Sequence, residues 1–487
     1  MSVIHVVKLV VETVSPMAIS SGQRETNFDT ALARDANGLP TIPATAIAGV
    51  WSHLTEQFYG KACQRFWFGE AANNKEQTQD KDGTVLRVSS RFSISNGVLH
   101  DQDNRPAIGF IDPKTFEQDE VLKRSILARP HHRERVSIND RGVAIDQHKF
   151  DQIVLPTGAR FSITIRWEAA DARNPHEVLL LWNLRQMAFG SSTRNGLGQI
   201  NLVASQERVF DLALGEKSGE ALSQYINAQH VPEQNELRHQ VDIPNALLAE
   251  LPLQALDNWR CGTGTDLLTK NYSSEQKVAI LTYSEPRWQW SDNRASWQKS
   301  VPVLCGSSVK GMLAHRVAFH YRKRNKQWAE DMAQASHEEW QTRPEGIEVL
   351  FGRADEANHL NSFAGMLIVD DCELSFDPEH LVIRHHNAID RFTGGVRKGA
   401  LYSEELLYQP KFTLRIWLNP LAQQQKALQS DPNVFLALKD TIKDIEMGLL
   451  PMGAGSGRGN SLVIRDNEKQ WQVNLSSWCA ENKEVGA

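Results

Sequence analysis

The sequence predicts an α+β protein built from two tandem ferredoxin-like units, and three repeated features carry that expectation. The first is a pair of glycine-rich loops, Gly190-Ser-Ser-Thr-Arg-Asn-Gly-Leu-Gly-Gln-Ile200 and Gly453-Ala-Gly-Ser-Gly-Arg-Gly-Asn-Ser-Leu-Val463, each lying between an apolar helical pattern and a short β-like run. The second is a pair of His-His dipeptides, His131-His132 and His385-His386, which precede Pro156 and Pro410 by the same interval. Alternating strands, Arg160–Arg166 and Lys411–Trp417, follow those prolines. The third is a helix start leading to a Phe-Gly corner, Phe68-Gly69 and Phe351-Gly352. Their common order marks one unit used twice, with a β-α-β-β-α-β sequence of elements in each copy.

The elements justify themselves in turn. Val3–Glu12 alternates as a strand, and a polar stretch containing Asp29 leads to a turn at Asn37-Gly38. Ile42–Leu54 opens a helix with Pro43 in its first turn and Thr45 as the expected N-cap. Its counterpart is Leu304–Arg316, where Ser307 or Ser308 is the expected cap of the most basic helix in the chain. Strands are expected at Arg91–Ser95 and Gly365–Val369, and second helices at Glu177–Leu184 and Val434–Ile442. Residues 211–245 lack strong periodicity and are expected to link a first unit, 1–210, to a second, 246–487. In such folds helices cover one sheet face, and the other can be left open for single-stranded nucleic acid.

Composition narrows the classes. A chain of 487 residues with 41% hydrophobic and 23% charged residues reads as globular rather than disordered or fibrous. Its five scattered cysteines form no C-x-x-C pair, so neither a disulfide framework nor a cysteine zinc site is expected. No apolar run reaches the ~18 residues of a membrane span, and a cytoplasmic location without membrane association is expected. The net charge of −6 excludes a uniformly basic coat and leaves room for a local basic groove.

Glycines let backbone N–H groups turn toward an anion, and an uncapped helix start offers unpaired N–H groups. Gly190, Arg194, Gly196, Ser307, Ser308, Lys310, Gly453, Gly455, Arg458 and Gly459 are therefore candidate phosphate contacts. The histidine pairs have no Cys or carboxylate at ligand spacing, and neighbours on a strand face opposite ways, so no metal ligand is assigned to them. The tryptophans are expected as core or interface anchors.

The chain resembles the CRISPR-associated RAMP superfamily, in particular the tandem backbone subunits of type III RNA-guided effector complexes. The resemblance rests on Gly38-Leu-Pro-Thr-Ile-Pro43, Cys305-Gly-Ser-Ser-Val-Lys-Gly311, Phe351-Gly352, Ala388-Ile-Asp-Arg-Phe-Thr-Gly-Gly-Val396 with Gly399–Tyr402, and the two glycine-rich loops. It covers most of both halves, apart from the linker and an insertion near residues 265–300. It implies two RRM-like RAMP domains lining a guide RNA, with other effector subunits and target RNA as partners. Hairpins near Asp140–Phe150 and Asp390–Leu401 would wedge between bases of the guide–target duplex, with Arg391 among the RNA contacts.

The resemblance also implies metal-dependent cleavage of target RNA, with a divalent cation, Mg²⁺ being the expected one, and an aspartate ahead of the first helix. Asp29 occupies that place. Unit two has Ser291 at the same spacing with Asp292 beside it, so Asp292 is a second catalytic candidate and Glu285 a lesser one. Unit one lacks the serines and lysine of the phosphate-gripping helix start, whereas unit two keeps them. Two other readings stay open: a non-catalytic scaffold on guide RNA, and a stand-alone repeat-processing endoribonuclease using His5 or His53 as a general base.

Overall fold

The computed structural model describes residues 3–22, 31–69, 89–138, 144–168, 174–227, 231–237, 247–269, 278–336, 339, 343–353, 361–419, 428 and 430–474. In unit one the strands are β1 (Val3–Thr13), β2 (Ser93–Ile94), β3 (Val98–Leu99), β4 (His131–Ile138), β5 (Ala144–Val154), β6 (Arg160–Glu168) and β7 (Ile200–Asp211). Its helices are α1 (Ala44–Phe68), α2 (Pro113–Gln118), α3 (Glu120–Ser125) and α4 (His176–Leu180), followed by α5 (Glu216–Asn227). Unit two contains β8 (Leu247–Ala255), β9 (Asn258–Trp259), β10 (Ser284–Ser291), β11 (Arg294–Leu304), α6 (Gly306–Arg324), α7 (Glu345–Phe351), β12 (Gly352–Arg353) and β13 (Phe363–Ala364). It continues with β14 (Leu367–Val369), β15 (Cys372–Glu373), β16 (Leu381–His386), β17 (Tyr402–Tyr408), β18 (Lys411–Leu418), α8 (Pro432–Glu446), β19 (Val463–Arg465) and β20 (Gln472–Val473).

The two sheets share one topology. Unit one orders its strands β2-β6-β1-β7 and unit two β14-β18-β8-β19, with the first strand central and every pairing antiparallel. This is the split β-α-β arrangement of a ferredoxin-like fold, reached twice. Alternation explains the packing: Val7, Leu9 and Val11 of β1 enter one core with Trp51, Phe161, Ile163 and Trp182, and Leu251 and Leu253 of β8 enter the other with Leu313, Leu414 and Leu438. Hairpins β4–β5 and β16–β17 leave the sheets between their second and third strands.

Several local expectations change. The first helix breaks at Gly60, and the second helix of unit one is only the five residues of α4 plus a 3₁₀ turn at Leu181–Asn183. Helix α5 lies inside the expected linker and packs Tyr225 on Val6 and Phe210. The ammonium of Lys8 and the guanidinium of Arg208 also sit over the Tyr225 ring. That part of the sheet face expected to be open in unit one is covered. On the same side of unit two, Arg415 pairs with Glu250 at 2.8 Å and the Trp471 indole donates to the Pro252 carbonyl.

Candidate nucleic-acid interface

The two glycine-rich loops have the same backbone. Phe189 N donates to Gly198 O at 2.9 Å, and Met452 N to Ser461 O at 3.0 Å. Asn195 N donates to Ser192 O, and Arg458 N to Gly455 O, both at 2.9 Å. Each loop contains a 3₁₀ turn closed by a left-handed glycine, Gly196 at φ 98° and Gly459 at φ 81°. This matching aligns Arg458 with Asn195 and Arg194 with Gly457. The two arginines therefore occupy neighbouring, not equivalent, positions of the loop.

Each loop is tied to the hairpin of its own unit. In unit one Arg135 donates to Ser192 Oγ at 3.2 Å and Gln152 Oε1 at 3.1 Å, and Gln152 bonds Ser191. In unit two Arg384 donates to Asn460 Oδ1 at 3.3 Å, and Asn460 Nδ2 donates to Glu404 at 3.4 Å. Glu404 is fully buried and also meets Arg260 at 2.8 Å and His386 at 2.7 Å. Burial raises its carboxyl, yet the hydrogen bonds from Arg260 and His386 bring it below the usual range. His131 lies 3.5 Å from Glu285. One histidine of each pair thus faces a buried carboxylate, while His132 and His385 point to solvent.

Beyond β16 the segment 387–401 forms an exposed turn. Asp390 accepts from the N–H groups of Phe392 and Thr393 at 2.9 Å, which lowers its carboxyl, and Ile389 bridges to Val396. Phe392 is 98% exposed, and Ile389, Val396, Leu401 and Arg391 are exposed around it. An apolar tip held by a polar turn is suited to insertion between stacked bases. The corresponding tip of unit one, residues 139–143, lies outside the described residues.

The start of α6 corrects the expected capping. Cys305 takes the N-cap position without a side-chain bond, and neither serine caps. Gly306 N donates instead to Asp371 Oδ1 at 2.7 Å, so a carboxylate of the protein already occupies the first N–H. Ser307 is half-buried and Ser308 exposed. In unit one Asn96 Oδ1 accepts from Ala44 N at 2.8 Å in the same way, so Pro43 holds the cap position and Thr45 does not cap. Lys310, one turn into α6, is buried and donates to Arg194 O at 3.3 Å. Burial, with the charges of Arg194 and Arg343, lowers its ammonium to about 7.

Asp371 belongs to the seam between the units. Arg133, 1% exposed on β4, makes paired bonds to Glu285 at 2.8 and 2.7 Å and reaches Asp371 at 2.8 Å. Burial raises the Glu285 carboxyl, but Arg133 and His131 pull it well below the usual range. Glu285 is thus a buried half of an ion pair, which removes it as a catalytic candidate. Burial keeps the Asp371 carboxyl raised. Arg185 pairs with Asp370 at 2.6 Å along the same seam.

Asp292 is not the counterpart of Asp29. Ala33 N donates to Ile19 O in unit one, and Tyr283 N donates to Cys261 O in unit two. The residues after these bonds form the Arg34–Pro40 bridge in unit one and the β10–β11 hairpin, whose first pair is Ser284–Pro302, in unit two. Asp292 and Asn293 are the left-handed residues at that hairpin's tip, matching the turn at Asn37-Gly38. The place equivalent to Asp29 falls earlier, between Cys261 and Tyr283. The spacing misled because the hairpin is longer in unit two. Asp29 itself lies outside the described residues. His5 is engaged by Glu207 at 2.8 Å and stacks on Trp167, whereas His53 is exposed on α1. Among the described residues no three His, Cys, Asp or Glu side chains are grouped to hold a metal, and no described helix is long and apolar enough to cross a membrane.

The model of the RAMP superfamily matches residues 10–201 and 298–460, one stretch in each unit. The chain belongs to the RAMP superfamily. No curated protein matches it. Among solved structures, it is similar at 14% identity and a TM-score of 0.27 to a chain of a structure described as "Cryo-EM structure of the Type III-B Cmr-beta bound to cognate target RNA". That similarity covers 42% of this chain and 60% of the other, so the chain spans less than two thirds of that neighbour's length. The RAMP match ends at residue 460, inside the second glycine-rich loop, and omits the segment carrying α5.

Proposed function

We propose that this RAMP protein is a backbone subunit of a type III RNA-guided CRISPR effector, which holds guide RNA along its two units and cuts the paired target RNA beside Asp29. The observation that supports it most is the exposed set in unit two: the glycine-rich loop with Arg458, bonded through Asn460 to a hairpin that ends in the apolar tip around Phe392. The loop offers N–H groups and a guanidinium to phosphates, and the tip offers an aromatic ring to bases. Asp29 enters from the motif resemblance alone. Its carboxylate would orient the ribose 2′-hydroxyl for attack on the adjacent phosphate, which forms a 2′,3′-cyclic phosphate as the P–O5′ bond breaks; the hydroxyl proton is lost to solvent and the leaving 5′-oxygen takes one up. A divalent cation would offset charge developing on that phosphate.

The deciding experiment compares wild type with Asp29→Ala in the reconstituted complex with Mg²⁺ and with chelator. One cut is expected to vanish in the variant and under chelation while target RNA stays bound. Unchanged cleavage would leave the scaffold reading. Cleavage of repeat RNA by the isolated chain without metal would favour the processing enzyme.

A further inference from the structure

The seam between the units is rich in charge, and almost everywhere along it cations meet acids. Arg133 lies between Glu285 and Asp371, and Arg185 meets Asp370. One corner is different. Lys310 is 8% exposed, and its contact is the Arg194 carbonyl oxygen, with no carboxylate within ion-pair distance among the described residues. The Nε of Arg194 is itself buried and has no hydrogen-bond partner among the described residues. Arg343, just ahead of α7, adds a third positive charge acting on Lys310. Arg194 and Lys310 meet here from the two units with no carboxylate within ion-pair distance of either among the described residues, while Arg343, an exposed residue, also feels the Glu348 carboxylate. In unit one the position equivalent to Lys310 is Ala48, so this corner occurs once in the chain.

We infer that Arg194 and Lys310, with the charge of Arg343 added, form an oxyanion seat shared by the two units, which takes a phosphate group. An unpartnered buried guanidinium N–H and an ammonium whose only acceptor is a carbonyl both gain a charge-assisted bond from a tetrahedral oxyanion. The groups acting on the ammonium are cationic, Arg194 from the glycine-rich loop and Arg343 from the segment before α7. Asp371, at the start of the same helix, is already engaged by Gly306 and Arg133. Without an oxyanion the ammonium is held down to about 7, by burial first and then by Arg194 and Arg343, so above that pH a bound oxyanion draws one proton from solvent to Lys310. Because ligands come from both units, occupancy also clamps the seam. The RNA reading above bears only on where the phosphate comes from: an RNA phosphodiester or a free oxyanion.

The test uses the full chain, with Lys310→Met, Lys310→Arg and Arg194→Gln, and circular dichroism to verify folding. The first arm measures the thermal shift from sulfate over chloride at matched ionic strength, because sulfate does not titrate between pH 6.5 and 8.5. Wild type should gain more at pH 6.5 than at 8.5, Lys310→Met and Arg194→Gln should keep only the general salting effect, and Lys310→Arg should gain equally at both. The second arm measures binding of an oligo(U) RNA by anisotropy. Wild-type affinity should fall up to about tenfold per pH unit above 7, the limit for one linked proton, and Lys310→Arg should abolish that slope. Lys310→Met indistinguishable from wild type in both arms, or a pH slope that survives Lys310→Arg, overturns the seat. A specific sulfate effect without RNA binding keeps the seat and removes the RNA reading; RNA binding insensitive to all three variants does the reverse.

Discussion

The loops at 190–198 and 453–461 share their hydrogen bonds and their left-handed glycines, yet the first is pressed under unit two while the second faces solvent. A Cβ on Gly196 would lie 2.4 Å from Asp371 Oδ1, whereas one on Gly459 would meet nothing within 4 Å. The difference arises in the surfaces that meet the loops. Unit two presents Asp370, Asp371 and Lys310; the equivalent positions of unit one are Ser95, Asn96 and Ala48. Backbone bonds fix that equivalence, since Ser95 N donates to Thr164 O just as Asp370 N donates to Arg415 O. Two copies of one fold thus sit in different surroundings: the first loop and its hairpin pack at the junction between the units, and the second loop is exposed.

The comparison breaks most severely at Arg133. Arg133→Met strands two buried carboxylates, and a loss of about 3–5 kcal/mol in unfolding free energy is expected by chemical denaturation. A loss below about 1 kcal/mol would mean that the seam is not held by charge. The paired glycines come next. Gly459→Ala should cost about 1–2 kcal/mol for a left-handed alanine, and Gly196→Ala more than that, because its methyl must also displace Asp371. Equal costs would show that the seam yields freely around the first loop. RNA affinity sharpens the contrast further: Arg458→Ala should weaken binding of unrelated RNA sequences alike and reduce the salt slope by about one ion. The smallest effect is expected at Asp371→Asn, which gives unit two the residue type of Asn96. Arg133 keeps Glu285 and one like charge leaves the cluster, so stability should change by less than about 1 kcal/mol.

The pH dependence of the empty protein gives a further contrast with Ala48. The Lys310 ammonium is depressed to about 7 in the folded chain, while an unfolded lysine titrates near its ordinary value. Between those values the unfolded state binds more protons, so stability rises with pH through that window, and as pH falls it declines toward about 7 and levels off below it. Lys310→Met should flatten this rise in denaturation measured without oxyanions.

Much of the fold was legible because its signals are local. Alternation in Val3–Glu12 and Arg160–Arg166, the Phe-Gly corners and the turn glycines depend on neighbouring residues, and duplication let each copy support the other. The site was legible only in part. Residue types at the loops and at α6 pointed to anions, but Asp371 at Gly306 comes from a different strand end, and Glu285 opposite Arg133 comes from the other unit. The spacing match of Asp292 to Asp29 misled for a related reason: spacing cannot tell a lengthened hairpin from a shifted loop.

The sequence by itself determined the two β-α-β-β-α-β units, their glycine-rich loops and the apolar Phe392 turn, because strand period and backbone conformation are encoded residue by residue. Tertiary structure decided which loop is buried, which arginine is held and which lysine lacks an acid. Those outcomes depend on side chains that are hundreds of positions apart along the chain and share one low-dielectric seam.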